Sequence, residues 1–196
     1  MSAETAEQEL TPAGQRILDA ASRLFYEHGI RAVGVDMIAR EADVTKKTIY
    51  DRFGSKDQLI TQYLEARDRM WRDVILSRVD QADLGPSEKI LAVFESLDDW
   101  FQREMQPRGC SFINAYAELA ESDHPARPVI EGEKRWLRSL FRDLANEAEL
   151  PDPEALATQL HLLHEGAYIA YSITGIGDAA RQARAAAEVL LAAQLR

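Results

Sequence analysis

Residues 44–59, VTKKTIYDRFGSKDQL, set two adjacent lysines beside a tyrosine in a chain whose formal net charge is −10. Ile49 and Phe53 lie one helical turn apart and continue inward from Val44, which gives the segment a buried face. Lys46, Lys47 and Tyr50, at i, i+1 and i+4, share another face. Thr45 can cap this helix and Gly54-Ser55 breaks the chain after it, so residues 46–53 read as one short helix with a basic, aromatic outer surface. Asp51 is either an acceptor for cytosine N4 or a partner for Arg52.

Charge is uneven along the chain. Residues 1–60 hold 8 Lys and Arg against 10 Asp and Glu, and residues 61–196 hold 15 against 23. The larger part repels polyanions, so any contact with nucleic acid has to come from a local patch, and residues 44–59 are the best candidate. Taken alone, Lys46, Lys47 and Lys56 are equally compatible with a solvated face. What precedes them weighs against that: a helix-forming stretch, VDMIAREA (residues 35–42), burying Val35, Ile38, Ala39 and Ala42, then a tight turn. A short positioning helix, a turn and a basic second helix describe a helix-turn-helix.

Nearly everything else also reads as helix. TPAGQRILDAASRLFYEHG (residues 11–29) has Thr11 to cap, Pro12 in the first turn and Gly29 to close, with Ile17, Ala21, Leu24, Phe25 and His28 at helical spacing. Ser55 can cap a long helix to residue 79. Further helical blocks cover residues 87–105, 111–121, 129–150, 152–175 and 179–196, each bounded by Gly, Pro or Asp. The expected fold is all-α with about nine helices: a polar tail over residues 1–10, a helix-turn-helix domain over 11–56 and a helical domain over 57–196. With 46% hydrophobic and 29% charged residues the composition is that of a soluble globule, and no run approaches the length of a membrane span. The acidic start lacks the basic and apolar regions of a secretory signal, and Cys110 is the only cysteine, so a cytoplasmic protein without an intrachain disulfide is expected.

The ordered set ILDAASRLFYEHG, VDMIAREADV and TKKTIYDRFGSKDQLI resembles the N-terminal DNA-binding domain of TetR-type transcriptional regulators, over about residues 17–64. The resemblance implies that Thr45, Lys46, Lys47, Thr48 and Tyr50 face a double-stranded DNA operator, that Lys56 holds a phosphate, and that Arg31 lies near the DNA backbone. Two positions depart from the family pattern. Gly34 stands where Ser or Thr usually caps the second helix, and Asp43 stands where the turn usually has Gly. For the rest of the chain the resemblance is architectural, and it implies a ligand-binding and dimerisation domain, hence a homodimeric, ligand-responsive regulator, most often a repressor. An enzyme and a helical protein-interaction module are the rivals; the enzyme has no phosphate-binding glycine loop, nucleophile elbow or repeated Glu-x-x-His pair to support it.

Of 15 aromatic residues, 11 follow position 60, including all three Trp. Trp71, Phe94, Trp100, Phe101 and Phe112 fall on successive helical blocks, as do Tyr116, Trp136 and Tyr168. With Asn114, His161 and Glu165 as polar groups they could enclose an effector pocket; each aromatic taken singly is as well explained by a core, and the resemblance is what favours a pocket. His161 and His164 sit three apart with His124 the only remote histidine to complete a metal site, and neither metal nor cofactor is expected. Cys110 begins a helix, where a thiolate is favoured, though a small buried residue explains it better. The block from residue 152 has one apolar stripe of Leu156, Leu160, Leu163, Ala167 and Ala170 and a second of Leu162, Gly166, Ile169 and Ile173. With Ala186 and Leu190 of the last block, the first stripe is the expected dimer interface, in a four-helix bundle between protomers.

Overall fold

The computed structural model describes residues 10–81, 83–104, 108–119 and 123–194. The expected tail lies outside them apart from Leu10, as do the helix ends expected at 105, 120–121 and 195–196. All the regular elements among the described residues are α-helices: α1 (Pro12–His28), α2 (Val35–Glu41), α3 (Lys46–Phe53), α4 (Lys56–Val79), α5 (Pro86–Glu104), α6 (Ser111–Glu118), α7 (Arg127–Glu147), α8 (Pro153–Ser172) and α9 (Ala179–Gln194).

α1, α3 and α4 start where side-chain caps dictate. Thr11 Oγ1 accepts the Gly14 N–H at 3.2 Å, Thr45 Oγ1 accepts the Thr48 N–H at 3.1 Å, and Ser55 Oγ accepts the Gln58 N–H at 3.0 Å. α2 starts without a side-chain cap, as Gly34 dictates. The turn after α2 places Asp43 at φ 51°, the left-handed region that a glycine would enter without strain and that Asp tolerates better than most residues. Val44 N–H then returns to the Ala39 carbonyl at 3.0 Å and sets the angle of α3. Ile17, Leu24, Phe25, Ile38, Ile49 and Phe53 close one core; His28, read as part of that stripe, stands exposed at the carbonyl end of α1.

α4 is about 36 Å long and belongs to both halves of the molecule. Leu59, Ile60, Tyr63 and Leu64 are buried in its first part, which packs on α1 and α3, and Trp71, Ile75 and Val79 are buried in its second, which packs on α5 and α7. α8 lies between α7 and α9, α5 packs against α9, and α6 lies on α7. α7 begins two residues before its expected start because Pro128 fits the first turn of a helix. α8 ends at Ser172, short of the expected Gly175. Among the described residues no helix is long and apolar enough to cross a membrane.

Candidate nucleic-acid interface and buried cavity

Ile49 is fully buried and Phe53 nearly so, which fixes the rotation of α3 and leaves its opposite face in solvent. Thr45, Lys46, Lys47 and Tyr50 are exposed there and Thr48 is partly so, its hydroxyl 2.9 Å from that of Thr45. Neither lysine is unopposed. Lys46 Nζ meets Asp36 Oδ1 at 2.6 Å and Lys47 Nζ meets Asp51 Oδ2 at 2.7 Å. The hydrogen bond it donates to Asp36 pushes the Lys46 pKa up. Asp51 is thus a partner of Lys47, not of Arg52.

Lys56 is also engaged within the chain. Its ammonium donates to the Ile30 carbonyl at 2.7 Å and lies 6.0 Å from the Phe25 ring centre, and burial lowers its pKa. It braces the start of α4 against the α1–α2 connection through one of the three N–H donors of its partly exposed ammonium. Arg31 is exposed, while its backbone N–H donates to Glu118 Oε2 at 2.8 Å, tying it to the end of α6. Gly29 sits at φ 90°, a conformation that favours glycine, and a Cβ there would also displace the Glu118 carboxylate, whose Oε1 would lie 2.9 Å away.

A second tie lies beside it. Tyr26 Oη donates to the Gly109 carbonyl and accepts from the Arg108 N–H, both at 3.2 Å, and Arg108 Nη1 donates to the Tyr26 carbonyl at 2.9 Å. The loop entering α6 therefore holds the C-terminal end of α1. The same loop forms one wall of a small cavity of about 10 Å³, room for one water.

The cavity gathers only some of the expected pocket residues. Trp71, Trp100, Phe112 and Tyr168 line it, together with Arg67, Cys110 and Glu133. Phe94 and Phe101 are wholly buried in the core, where Phe94 meets Phe141 at 5.6 Å and Phe101 stacks on Tyr171 at 4.1 Å. Asn114 is turned away, donating to the Arg108 carbonyl at 2.7 Å. Tyr116 is half exposed under the Arg127 guanidinium, and Trp136 is covered by that of Arg72. None of these five lines the cavity, and neither do His161 and Glu165.

Beside the cavity lies a charged group that the sequence only partly revealed. Lys134 Nζ donates to Glu165 Oε1 at 2.9 Å and lies 3.2 Å from Glu133 Oε2 and 3.6 Å from Cys110 Sγ. Burial pushes the Glu165 carboxyl up, but the His164 imidazole 3.6 Å away and the Lys134 ammonium outweigh it and hold the group at about 2. Burial raises the pKa of Glu133 and that of the Cys110 thiol, which makes Cys110 a poor thiolate. Glu133 is legible in principle, since it falls on the helical stripe of Ile130, Leu137, Phe141 and Leu144.

His161 is partly buried and His164 fully so, between the rings of Trp71, Phe94, Phe141 and Tyr168, while His124 lies 3.5 Å from Asp57. Burial lowers the pKa of both His164 and His161. The unfolded chain therefore binds protons on these imidazoles more readily than the folded one. Their contribution to stability is complete above about pH 6.5 and declines as pH falls through that value. Glu165 adds a separate loss below about pH 4.5. His164→Phe should flatten the curve of unfolding free energy against pH between about 6.5 and 5; urea titrations across that range measure it, and an unchanged slope would assign the proton uptake elsewhere.

Leu156, Leu160 and Ala167 are buried within the chain itself, so they are not available to a second copy, and Leu163, Ala170, Ala186 and Leu190 are only partly covered. The outward stripe is the other one. Leu162 is 66% exposed, Ile173 74% and Val189 of α9 69%, with Ile169 and Ile176 also exposed. Leu162, Ile169 and Ile173 recur at helical spacing, so α8 presents a row of large apolar side chains to solvent in the single chain.

A positioning helix, a tight turn and an outward basic helix, joined by α4 to a helical domain, define a helix-turn-helix DNA-binding protein. Residues 17–63 match the profile for bacterial regulatory proteins of the tetR family, and residues 86–187 match that for a tetracyclin repressor-like C-terminal domain. The chain belongs to the TetR family of transcriptional regulators, which are not enzymes. It is 34% identical over 153 residues to the HTH-type transcriptional regulator MT1294 of Mycobacterium tuberculosis, covering 67% of this chain and 74% of that one. It is 24% identical over 154 residues to the HTH-type transcriptional regulator YjdC of Escherichia coli, covering 76% and 78%. The crystal structure of SCO4454, a TetR-family regulator from Streptomyces coelicolor, superposes with a TM-score of 0.86 at 30% identity, over 94% of this chain and 96% of that one.

Proposed function

We propose that this chain acts in the cytoplasm as a homodimeric repressor, released from a palindromic operator by a small-molecule effector bound in residues 57–196. The observation that carries the reading is the outward face of α3. It presents Thr45, Lys46, Lys47, Thr48 and Tyr50 on a helix whose rotation is locked by Ile49 and Phe53, in a chain that otherwise repels DNA. Arg31, on the rim, adds a backbone contact. The exposed Leu162, Ile169 and Ile173 stripe supports a dimer through α8 and α9, whose two-fold axis would match two half-sites. The small cavity under α6 supports an effector site because its wall is bonded to the end of α1.

The test is selection of bound duplexes from a random pool, followed by titration of the winner at several salt concentrations. Lys47→Ala should lower the dependence of log affinity on log salt by about 1 for each phosphate the side chain would otherwise neutralise. Tyr50→Ala should weaken the selected site more than unrelated DNA, because a base contact specifies while a phosphate contact only positions. Unchanged affinity and salt dependence in both variants would remove α3 as the reading helix.

A further inference from the structure

We propose, resting on the effector-responsive reading above, that the cavity under α6 takes a small organic cation: a protonated amine on an aromatic or branched apolar body, with its ammonium on Glu133. The Glu133 side chain is 2% exposed, lines the cavity, and its Oε2 accepts no hydrogen bond. Lys134 Nζ stands 3.2 Å from that oxygen, yet the hydrogen bonds it makes run to Glu165 and Cys110. A buried carboxylate oxygen without a donor is costly, and an N–H from a ligand supplies what is missing.

The walls suit the body of such a ligand. The Trp71 and Trp100 rings lie 5.2 Å apart, and Phe112 and Tyr168 complete an aromatic enclosure. Aromatic faces hold cations, and Trp100 already does so, with the Arg67 guanidinium 4.7 Å from its centre. Arg67 is not a rival anchor for an anion. It is only partly buried and its charge rests on the Trp100 and Tyr26 rings, whereas an anionic ligand would set its charge against Glu133 in a site with little water to screen it.

At about 10 Å³ the cavity has no room for an organic amine, which enters only as the α6 wall, Gly109 to Phe112, moves off α7 and α8. That wall carries the Tyr26 hydrogen bonds. Occupation of Glu133 and loosening of the α1–α6 tie are then a single event.

The experiment uses the full-length chain and its selected operator, with benzylamine, benzyl alcohol and benzoate as a matched set, and methylammonium and 1-naphthylmethylamine to bracket size. Calorimetry reads binding and a gel shift reads operator release. At least one amine should bind and release the operator, and the neutral and anionic counterparts should be weaker by about tenfold or more. Glu133→Gln should abolish that preference with its melting temperature intact; if it does not fold, Glu133→Asp, with the carboxylate withdrawn by one methylene, should show the same selective loss. Failure of every amine to bind overturns the proposal, as does an amine that binds Glu133→Gln as well as wild type. Release by benzoate alone, weakened by Trp100→Phe, overturns the cation while leaving the effector reading intact. Absence of any selected operator would instead overturn the repressor reading, whatever the calorimetry shows.

Discussion

Ile173→Asp should leave the chain folded, make it monomeric, and remove operator binding over the concentration range in which wild type binds. Ile173 is 74% exposed in the single chain, so an aspartate there meets no core and stability should change by no more than about 0.5 kcal/mol. In an isologous dimer the same carboxylate enters the interface twice, desolvated and without a partner. Dimerisation should weaken by at least about 100-fold, which is about 2.7 kcal/mol. Operator affinity falls with it, because two half-sites engaged by one dimer gain a factor of about 10² to 10⁴ over independent binding. Sedimentation measures the first effect and gel shift the second. Leu162→Ser should act in the same direction, and Leu156→Ala is the control: wholly buried, it should cost about 2–5 kcal/mol of stability with dimerisation retained in whatever remains folded. A dimer unaffected by Ile173→Asp would place the interface elsewhere.

The same residues show where sequence reasoning reaches its limit. α8 carries two apolar stripes, and periodicity alone does not distinguish the one that meets the chain's own core from the one that meets solvent, since the row of Leu and Ala and the row of Leu, Gly and Ile have the same spacing. The reading helix is a different case. Thr45, Ile49, Phe53 and Ser55 impose capping, rotation and termination within eleven residues, and every one of those constraints is local. Lys56 is equally local in sequence, but its acceptor is the Ile30 carbonyl, 26 residues away, and no pattern around Lys56 distinguishes that bond from a phosphate contact. Glu133 escapes notice because a charged residue on an amphipathic helix is ordinarily outside, although its place in the stripe of Ile130 and Leu137 puts it inside.

Replacing Tyr26 by Phe and Glu118 by Ala together should remove three of the four hydrogen bonds described above between the α1 end and the α6 segment, leaving that from Arg108 Nη1 to the Tyr26 carbonyl, and should weaken the coupling of the two halves without unfolding either. Tyr26→Phe removes the hydroxyl that joins Gly109 and Arg108, and Glu118→Ala removes the acceptor of the Arg31 N–H. Each hydrogen bond removed should cost about 1 kcal/mol of stability, which a domain of this size tolerates. Coupling is reciprocal: if movement at the α6 wall changes operator affinity, operator binding has to change the wall by the same free energy. The device can therefore be tested with DNA alone and without an effector. In wild type, operator should alter amide exchange in residues 108–112, where the cavity wall meets the end of α1. In the double variant that response should weaken, and an effector's leverage on operator affinity should fall by about 5- to 150-fold, the range of a coupling of 1–3 kcal/mol. α4 offers the only other described helix that runs from the reading domain into the cavity, through Tyr63, Arg67 and Trp71. If the exchange response survives the double substitution and the further change Arg108→Ala, which removes the remaining bond to the Tyr26 carbonyl, the signal travels along α4, and the ties from α1 to α6 are struts rather than transmission.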